Sequence, residues 1–129
     1  MERHYPLYVN GEWIATEETF PVYHKYTGQV LARVAKAEQE HVRQAVTAAR
    51  AAFARSELTP SQRSQILQTA AEIVQERRDE LERSLVREVG KTRKDAAGEL
   101  ERVINTLRLS AEEAKRIAGE MVPLHATPG

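Results

Sequence analysis

The chain has 129 residues and not one cysteine. That excludes disulfides, zinc–thiolate sites and thiol nucleophiles within it. Aromatic residues are scarce too, at 5%, although the hydrophobic share is 41% and much of it alanine. A core built from such residues alone is expected to be shallow, and broad Ala faces suit helices that lie against something larger. There is no surplus of either charge: Lys+Arg and Asp+Glu each number 19. Neither nucleic acid nor an anionic membrane surface is therefore an expected partner. No run of about 18 apolar residues occurs, so no transmembrane helix is expected. The opening Met1-Glu2-Arg3-His4-Tyr5-Pro6 lacks the apolar core of a signal peptide, which makes a cytoplasmic protein the expectation. The six glycines are scattered and form no Gly-x-Gly-x-x-Gly, so no loop is nominated to cradle a dinucleotide pyrophosphate.

What is present falls into a β region over 1–36 and a helical region over 37–129, with no internal repeat and no low-complexity linker. Leu7-Tyr8-Val9 and Glu12-Trp13-Ile14 flank Asn10-Gly11. That dipeptide tolerates the positive φ angles of a type I′ turn and predicts a tight hairpin. Thr19 to Tyr23 is rich in β-formers, and Pro21, which lacks an N–H, predicts an edge position. Thr27-Gly28 reads as a second turn and Val30 to Val34 as a further strand.

From about Glu38 the period becomes helical. Val42, Ala45, Val46, Ala49 and Phe53 form one apolar stripe. Glu38 and Glu40 at its start, with Arg50 and Arg55 near its end, complement the helix dipole. Thr59-Pro60-Ser61-Gln62 is a capping box with proline at the first helical position. Ile66, Leu67, Ala70, Ile73 and Val74 are the expected buried face of this second helix. Asp79 with Glu82 offers another cap and predicts a break near Arg78, after which Leu81, Leu85 and Val89 lead to a C-cap at Gly90. Thr92 with Asp95 starts a third helix, carried by Ala96, Leu100, Val103, Ile104, Leu107, Ala111, Ala114 and Ile117, ending near Gly119 with Pro123 beyond. The predicted fold class is mixed α/β and mostly helical: a short hairpin and strands, then three long amphipathic helices. The β region is too short for a full α/β sheet, so the chain is expected to be a segment of something larger.

Gly90-Lys91-Thr92 has the ending of a phosphate-binding P-loop, but Leu85 stands where the first glycine belongs and a helix precedes it. The structural reading is a C-cap followed by an N-cap. His4, His24, His41 and His125 form no i, i+4 pair and have no partner at metal-ligand spacing. His41 reads as a helix-surface residue. Most helical carboxylates have a base three or four residues away, such as Glu112 with Arg116, and read as solvated pairs.

Short signatures in order carry more than any single residue. They are Leu7-Tyr8-Val9-Asn10-Gly11-Glu12-Trp13, Thr19-Phe20-Pro21-Val22, Tyr26-Thr27-Gly28-Gln29-Val30, Ala45 to Phe53, Glu88-Val89-Gly90-Lys91, and Gly119-Glu120-Met121-Val122-Pro123-Leu124. At these spacings the chain resembles the N-terminal end of the NAD(P)-dependent aldehyde dehydrogenase family, from about Leu7 to Gly129. The resemblance implies part of a cofactor-binding domain, with the catalytic cysteine, the glutamate that activates water and the NAD or NADP site all beyond Gly129. It implies no catalytic and no cofactor-binding residue here. Its partners would be the remainder of the enzyme chain and further copies in a homo-oligomer. It also implies a site for a monovalent cation, K+ or Na+, with Glu88 as a ligand and a backbone carbonyl near Val22 as another. Oxygen ligands suit such a hard cation. The segment Ala114 to Ile117 before Gly119 resembles the branch that handles small or phosphorylated aldehydes. One departure stands out: the family has Asn-Pro where this chain has His24-Lys25. The alternative is a free-standing helical interaction module without enzymatic activity, binding through its apolar stripes.

Overall fold

The computed structural model describes residues 3–119. Five short strands come first: β1 (Arg3–Tyr5), β2 (Leu7–Val9), β3 (Glu12–Ile14), β4 (Thr19–Tyr23) and β5 (Val30–Ala35). Helices α1 (Gln39–Arg55), α2 (Pro60–Glu76), α3 (Arg78–Ser84) and α4 (Arg93–Glu113) follow. A π-helical turn, Leu85–Val89, continues α3 without a break.

The expected hairpin is β2–β3, antiparallel, with Leu7 opposite Ile14 and Tyr8 opposite Trp13. Asn10 and Gly11 at its tip have φ of 53° and 85°, as a type I′ turn requires. Tyr8 and Trp13 stack across the strands at 4.7 Å between ring centroids. β4 and β5 pair antiparallel, and β1 adds to the other side of β5 in parallel, giving the order β1-β5-β4. Pro21 thus lies on an edge strand, as its missing donor predicts. β1 has no signal in the sequence, because a parallel partner about thirty residues away leaves no local mark.

Thr59 caps α2 as expected: its Oγ1 accepts the Gln62 N–H at 3.2 Å, and Gln62 Oε1 accepts the Thr59 N–H at 2.9 Å. Thr92 Oγ1 likewise accepts the Asp95 N–H, 3.2 Å, at the start of α4. The break between α2 and α3 falls at Arg77, next to the expected place, but Asp79 does not cap it. Arg77 holds the junction instead through a two-pronged bond to Glu80, at 2.9 and 2.7 Å. α4 stops at Glu113, earlier than its apolar pattern suggested. The Lys115 and Arg116 N–H groups turn back to the carbonyls of Glu112 and Glu113, tightening the end into a short three-residue turn.

α2 and α4 form the main packed pair. Their seam is Ser64 and Ala71 on one side and Ala96, Leu100, Ile104 and Ala111 on the other. Small residues let the two backbones approach, and only Leu100 and Ile104 bring bulk. The core is shallow, as the scarcity of aromatics implied. The face of α2 turned to α4 therefore differs from the predicted one. Leu67, Ala70 and Val74 are half-buried, whereas Ile66 and Ile73 are exposed. No residue of α1 is buried. Val42, Val46 and Phe53 of its apolar stripe face solvent, Phe53 at 86% exposure.

Candidate functional site

The sequence placed one candidate, Val22 with Glu88, and the fold brings the two together. Both line a cleft of about 450 Å³ between the three-stranded sheet and the helical run α3–π turn. Arg3 and Tyr5 of β1 and Leu31, Ala32 and Val34 of β5 complete the sheet side, and Glu80, Arg83, Ser84 and Arg87 the helical side. Two local irregularities meet here. The β4–β5 register shifts between Val22 and Tyr23, so Val22 faces Ala32 while Tyr23 faces Val30, leaving Leu31 without a partner. Such bulges interrupt the ladder and re-aim nearby groups. Opposite, Glu88 sits in the π-helical turn, a rare conformation that is frequent at functional sites.

Charges in the cleft are mixed. The Arg77 guanidinium, hydrogen-bonded to Glu80 and attracting it, holds that carboxyl below its ordinary value, and Arg3 adds to the effect. Glu80 is thereby already balanced. Glu88 is exposed and has no ion pair within 4 Å among the described residues. Lys91, a nearby base that could have compensated it, pairs with Glu99 instead.

The His24-Lys25 departure has a structural consequence that sequence reasoning missed. His24 Nδ1 accepts the backbone N–H groups of Tyr26 and Thr27, at 3.2 and 3.3 Å, as a turn-forming Asn side chain would. The turn closes with the Gly28 N–H donating to the His24 carbonyl and the His24 N–H donating to the Gln29 carbonyl, both 2.8 Å. The Lys25 N–H, which a proline would lack, donates to the Arg87 carbonyl at 2.9 Å. The other histidine with a defined task is His41, whose Nδ1 accepts the Glu38 N–H at the start of α1, 3.1 Å. It is a capping residue rather than a plain surface one. His125 lies outside the described residues, as do Pro123 and the tail after it. Among the described residues no group of three or more His, Cys, Asp or Glu is placed to hold a metal ion, and no helix is long and apolar enough to cross a membrane.

This arrangement of sheet, bulge and helix pair is that of a known enzyme class. The family model described as the aldehyde dehydrogenase family matches residues 13–129. The chain belongs to the aldehyde dehydrogenase family. It is similar to 3-sulfolactaldehyde dehydrogenase of Priestia aryabhattai, 42% identical over 127 residues, covering 98% of this chain and 26% of that protein. It is also similar to D-glyceraldehyde dehydrogenase (NADP(+)) of Thermoplasma acidophilum, 36% identical over 119 residues, covering 90% of this chain and 24% of that one. Among solved structures, aldehyde dehydrogenase 21 of Physcomitrella patens, in complex with succinate, superposes with a TM-score of 0.91 at 31% identity over 98% of this chain and 27% of its own. A Thermus 1-pyrroline-5-carboxylate dehydrogenase with bound NAD gives 0.89 at 34% identity, over 96% of this chain and 25% of its own. The chain thus spans about a quarter of the length of the relatives it matches.

Proposed function

We propose that this chain is the N-terminal part of an NAD(P)-dependent aldehyde dehydrogenase that oxidises an aldehyde to a carboxylic acid, and that its share of the work is structural. The observation that carries this is the near-complete match of the chain to one quarter of such enzymes. The uncovered apolar faces agree with it. Val42, Val46 and Phe53 on α1, Leu58 just before α2, and Ile66 and Ile73 on α2 present hydrophobic surface that the other described residues do not cover. The described residues do not fit a nicotinamide dinucleotide: no glycine-rich loop follows a strand, and the cofactor site falls to the rest of the enzyme. The thiol nucleophile does too, since the sequence holds no cysteine.

The names of two relatives support a reading of the substrate class. They are named for 3-sulfolactaldehyde and D-glyceraldehyde, both small, polar three-carbon aldehydes with a 2-hydroxyl group. We assign this enzyme to the same class. The test is the full-length protein assayed with both aldehydes and either nicotinamide cofactor. Oxidation of at least one supports the reading. Turnover of long aliphatic or aromatic aldehydes alone would move the substrate to another class.

Within the segment, the Glu88 carboxylate and a backbone carbonyl at Val22 are proposed to bind a monovalent cation, K+ or Na+. The ligand chemistry fits, because both are hard oxygens and Glu88 has no ion pair among the described residues. At the C-terminal end of a helix a carboxylate is also unfavourable by about 0.3–1 kcal/mol, and a cation offsets that. Arg3, Arg83 and Arg87 border the same cleft and are the competing source of positive charge. Melting of Glu88→Gln and wild type at varied potassium, with ionic strength fixed by a bulky organic cation, separates the two. Identical responses assign Glu88 to the arginines.

A further inference from the structure

The arginines from the start of α3 to the start of α4 divide by where they face. Arg77 bonds Glu80 at 2.9 and 2.7 Å, Arg78 pairs with Glu101 at 3.1 Å, and Arg93 with Glu82 at 3.3 Å. None of these three lines the cleft between sheet and helices. Arg83 and Arg87 do line it, and Arg3 of β1 borders it from the sheet side. Those three guanidiniums have neither an ion pair nor a hydrogen bond among the described residues. The Tyr5 and Ser84 hydroxyls, on the same walls, have no hydrogen-bond partner among the described residues either. Against these donors the cleft sets the carboxylates of Glu80 and Glu88. Glu80 is engaged by Arg77, which leaves Glu88 alone to face three guanidiniums. The chain as a whole is neutral, so this is a local excess of positive charge and not a general one.

We propose that this cleft binds a phosphate-type oxyanion, as the free ion or as the phosphate group of a small metabolite, held by Arg3, Arg83 and Arg87 with hydroxyl donors from Tyr5 and Ser84. Guanidinium groups present paired N–H donors that match the oxygens of such an anion. The cleft, at about 450 Å³, lies within the range of about 300–1,000 Å³ of small-molecule sites. The site does not rest on the cation reading. A cation on Glu88 would offset the remaining negative charge and leave the cleft more positive still, so potassium is held constant in the test.

The experiment uses the full-length protein and two readouts. Titration calorimetry measures the binding of inorganic phosphate and of glycerol 3-phosphate, with chloride keeping the ionic strength fixed. The melting temperature in phosphate-free buffer reports any structural role of the arginines. Arg83→Gln and Arg87→Gln should each weaken phosphate binding by about 10–100-fold, the equivalent of one hydrogen bond to a charged group. Arg87→Lys keeps the charge but not the fork and should fall between wild type and Arg87→Gln. Arg50→Gln removes an arginine of α1 that does not line the cleft and should bind phosphate as wild type does. Without phosphate, both cleft Gln variants should melt no lower than wild type, because each removes unpaired charge of like sign. Tighter binding of glycerol 3-phosphate than of inorganic phosphate assigns the site to a metabolite; the reverse order assigns it to the free ion. A wild type that binds neither probe overturns the proposal. So does binding that the cleft variants leave unchanged, which would place the phosphate elsewhere in the enzyme. A third refutation is a Gln variant that melts lower in phosphate-free buffer while wild type binds neither probe: the arginines then pair with carboxylates supplied by the rest of the chain.

Discussion

Ser64 lies on α2 where that helix meets α4, and it is 1% exposed. Its hydroxyl has no hydrogen-bond partner among the described residues. The side chain sits in a seam otherwise made of Ala71, Ala96, Leu100, Ile104 and Ala111, all apolar. An unmade hydrogen bond at a buried hydroxyl costs about 1–3 kcal/mol. Alanine is also the better helix former, by a few tenths of a kcal/mol. Against this stands the void left by one oxygen; at about 24 cal/mol per Å³ and some 15 Å³, that is roughly 0.4 kcal/mol. Ser64→Ala should therefore stabilise the chain by about 1–2 kcal/mol. For 129 residues the entropy of unfolding near the midpoint is about 0.27 kcal/mol per kelvin, so the melting temperature should rise by about 4–7 °C. Differential scanning calorimetry of the two proteins measures it. The mirror variant Ala71→Ser adds a hydroxyl to an equally buried site on the same seam and should lower the midpoint. A lower melting temperature for Ser64→Ala would refute the reasoning, since it would mean that the hydroxyl is bonded after all and contributes to the pairing of α2 with α4.

Other expectations follow from single interactions. Thr59→Ala removes the acceptor for the Gln62 N–H and should cost about 1 kcal/mol; an unchanged denaturant midpoint and slope would show the cap to be idle. Lys36 hydrogen-bonds Glu18 at 2.7 Å and holds its carboxyl below the ordinary value, while Glu18 raises the Lys36 ammonium. The carboxyl side of this pair contributes above the unfolded pKa of Glu18 and is lost as pH falls through the depressed folded value. The ammonium side is lost as pH rises through the elevated value of Lys36. The pair is fully exposed, so Lys36→Ala should weaken the acid-side slope of stability only slightly and more at low salt; a change as large in high salt points to another cause. The 129-residue chain on its own should associate through Val42, Val46, Phe53, Ile66 and Ile73 and should reduce no NAD or NADP with an aldehyde. Sedimentation as a monomer that binds no hydrophobic dye counts against the first part, and measurable turnover against the second.

Much of the architecture was legible because it is locally encoded. Asn10-Gly11 dictates its hairpin through positive φ, Pro21 marks an edge, and Thr59 and Thr92 start helices with their own hydroxyls. Periodicity found the helices but could not say which of two adjacent apolar stripes on α2 would be buried. Ile66 and Ile73 are as hydrophobic as any core residue, yet close packing with α4 selected Ser64 and Ala71 because small side chains bring the axes together.

At the cleft the division is sharper. Sequence alone determined that this segment carries no thiol and no Gly-x-Gly-x-x-Gly, that Glu88 stands two residues before Gly90, and that His24-Lys25 replaces a more rigid pair. Those are matters of residue identity and spacing. Only the tertiary structure decided that Val22 and Glu88 share one cleft, that a strand bulge and a π-helical turn face each other there, and that the Lys25 N–H meets the Arg87 carbonyl. Each depends on β4 and the end of α3 meeting across more than sixty residues of chain. No local propensity records such an encounter. It forms when the sheet and helices collapse onto one another and the last unpaired carbonyls of a helix must find donors.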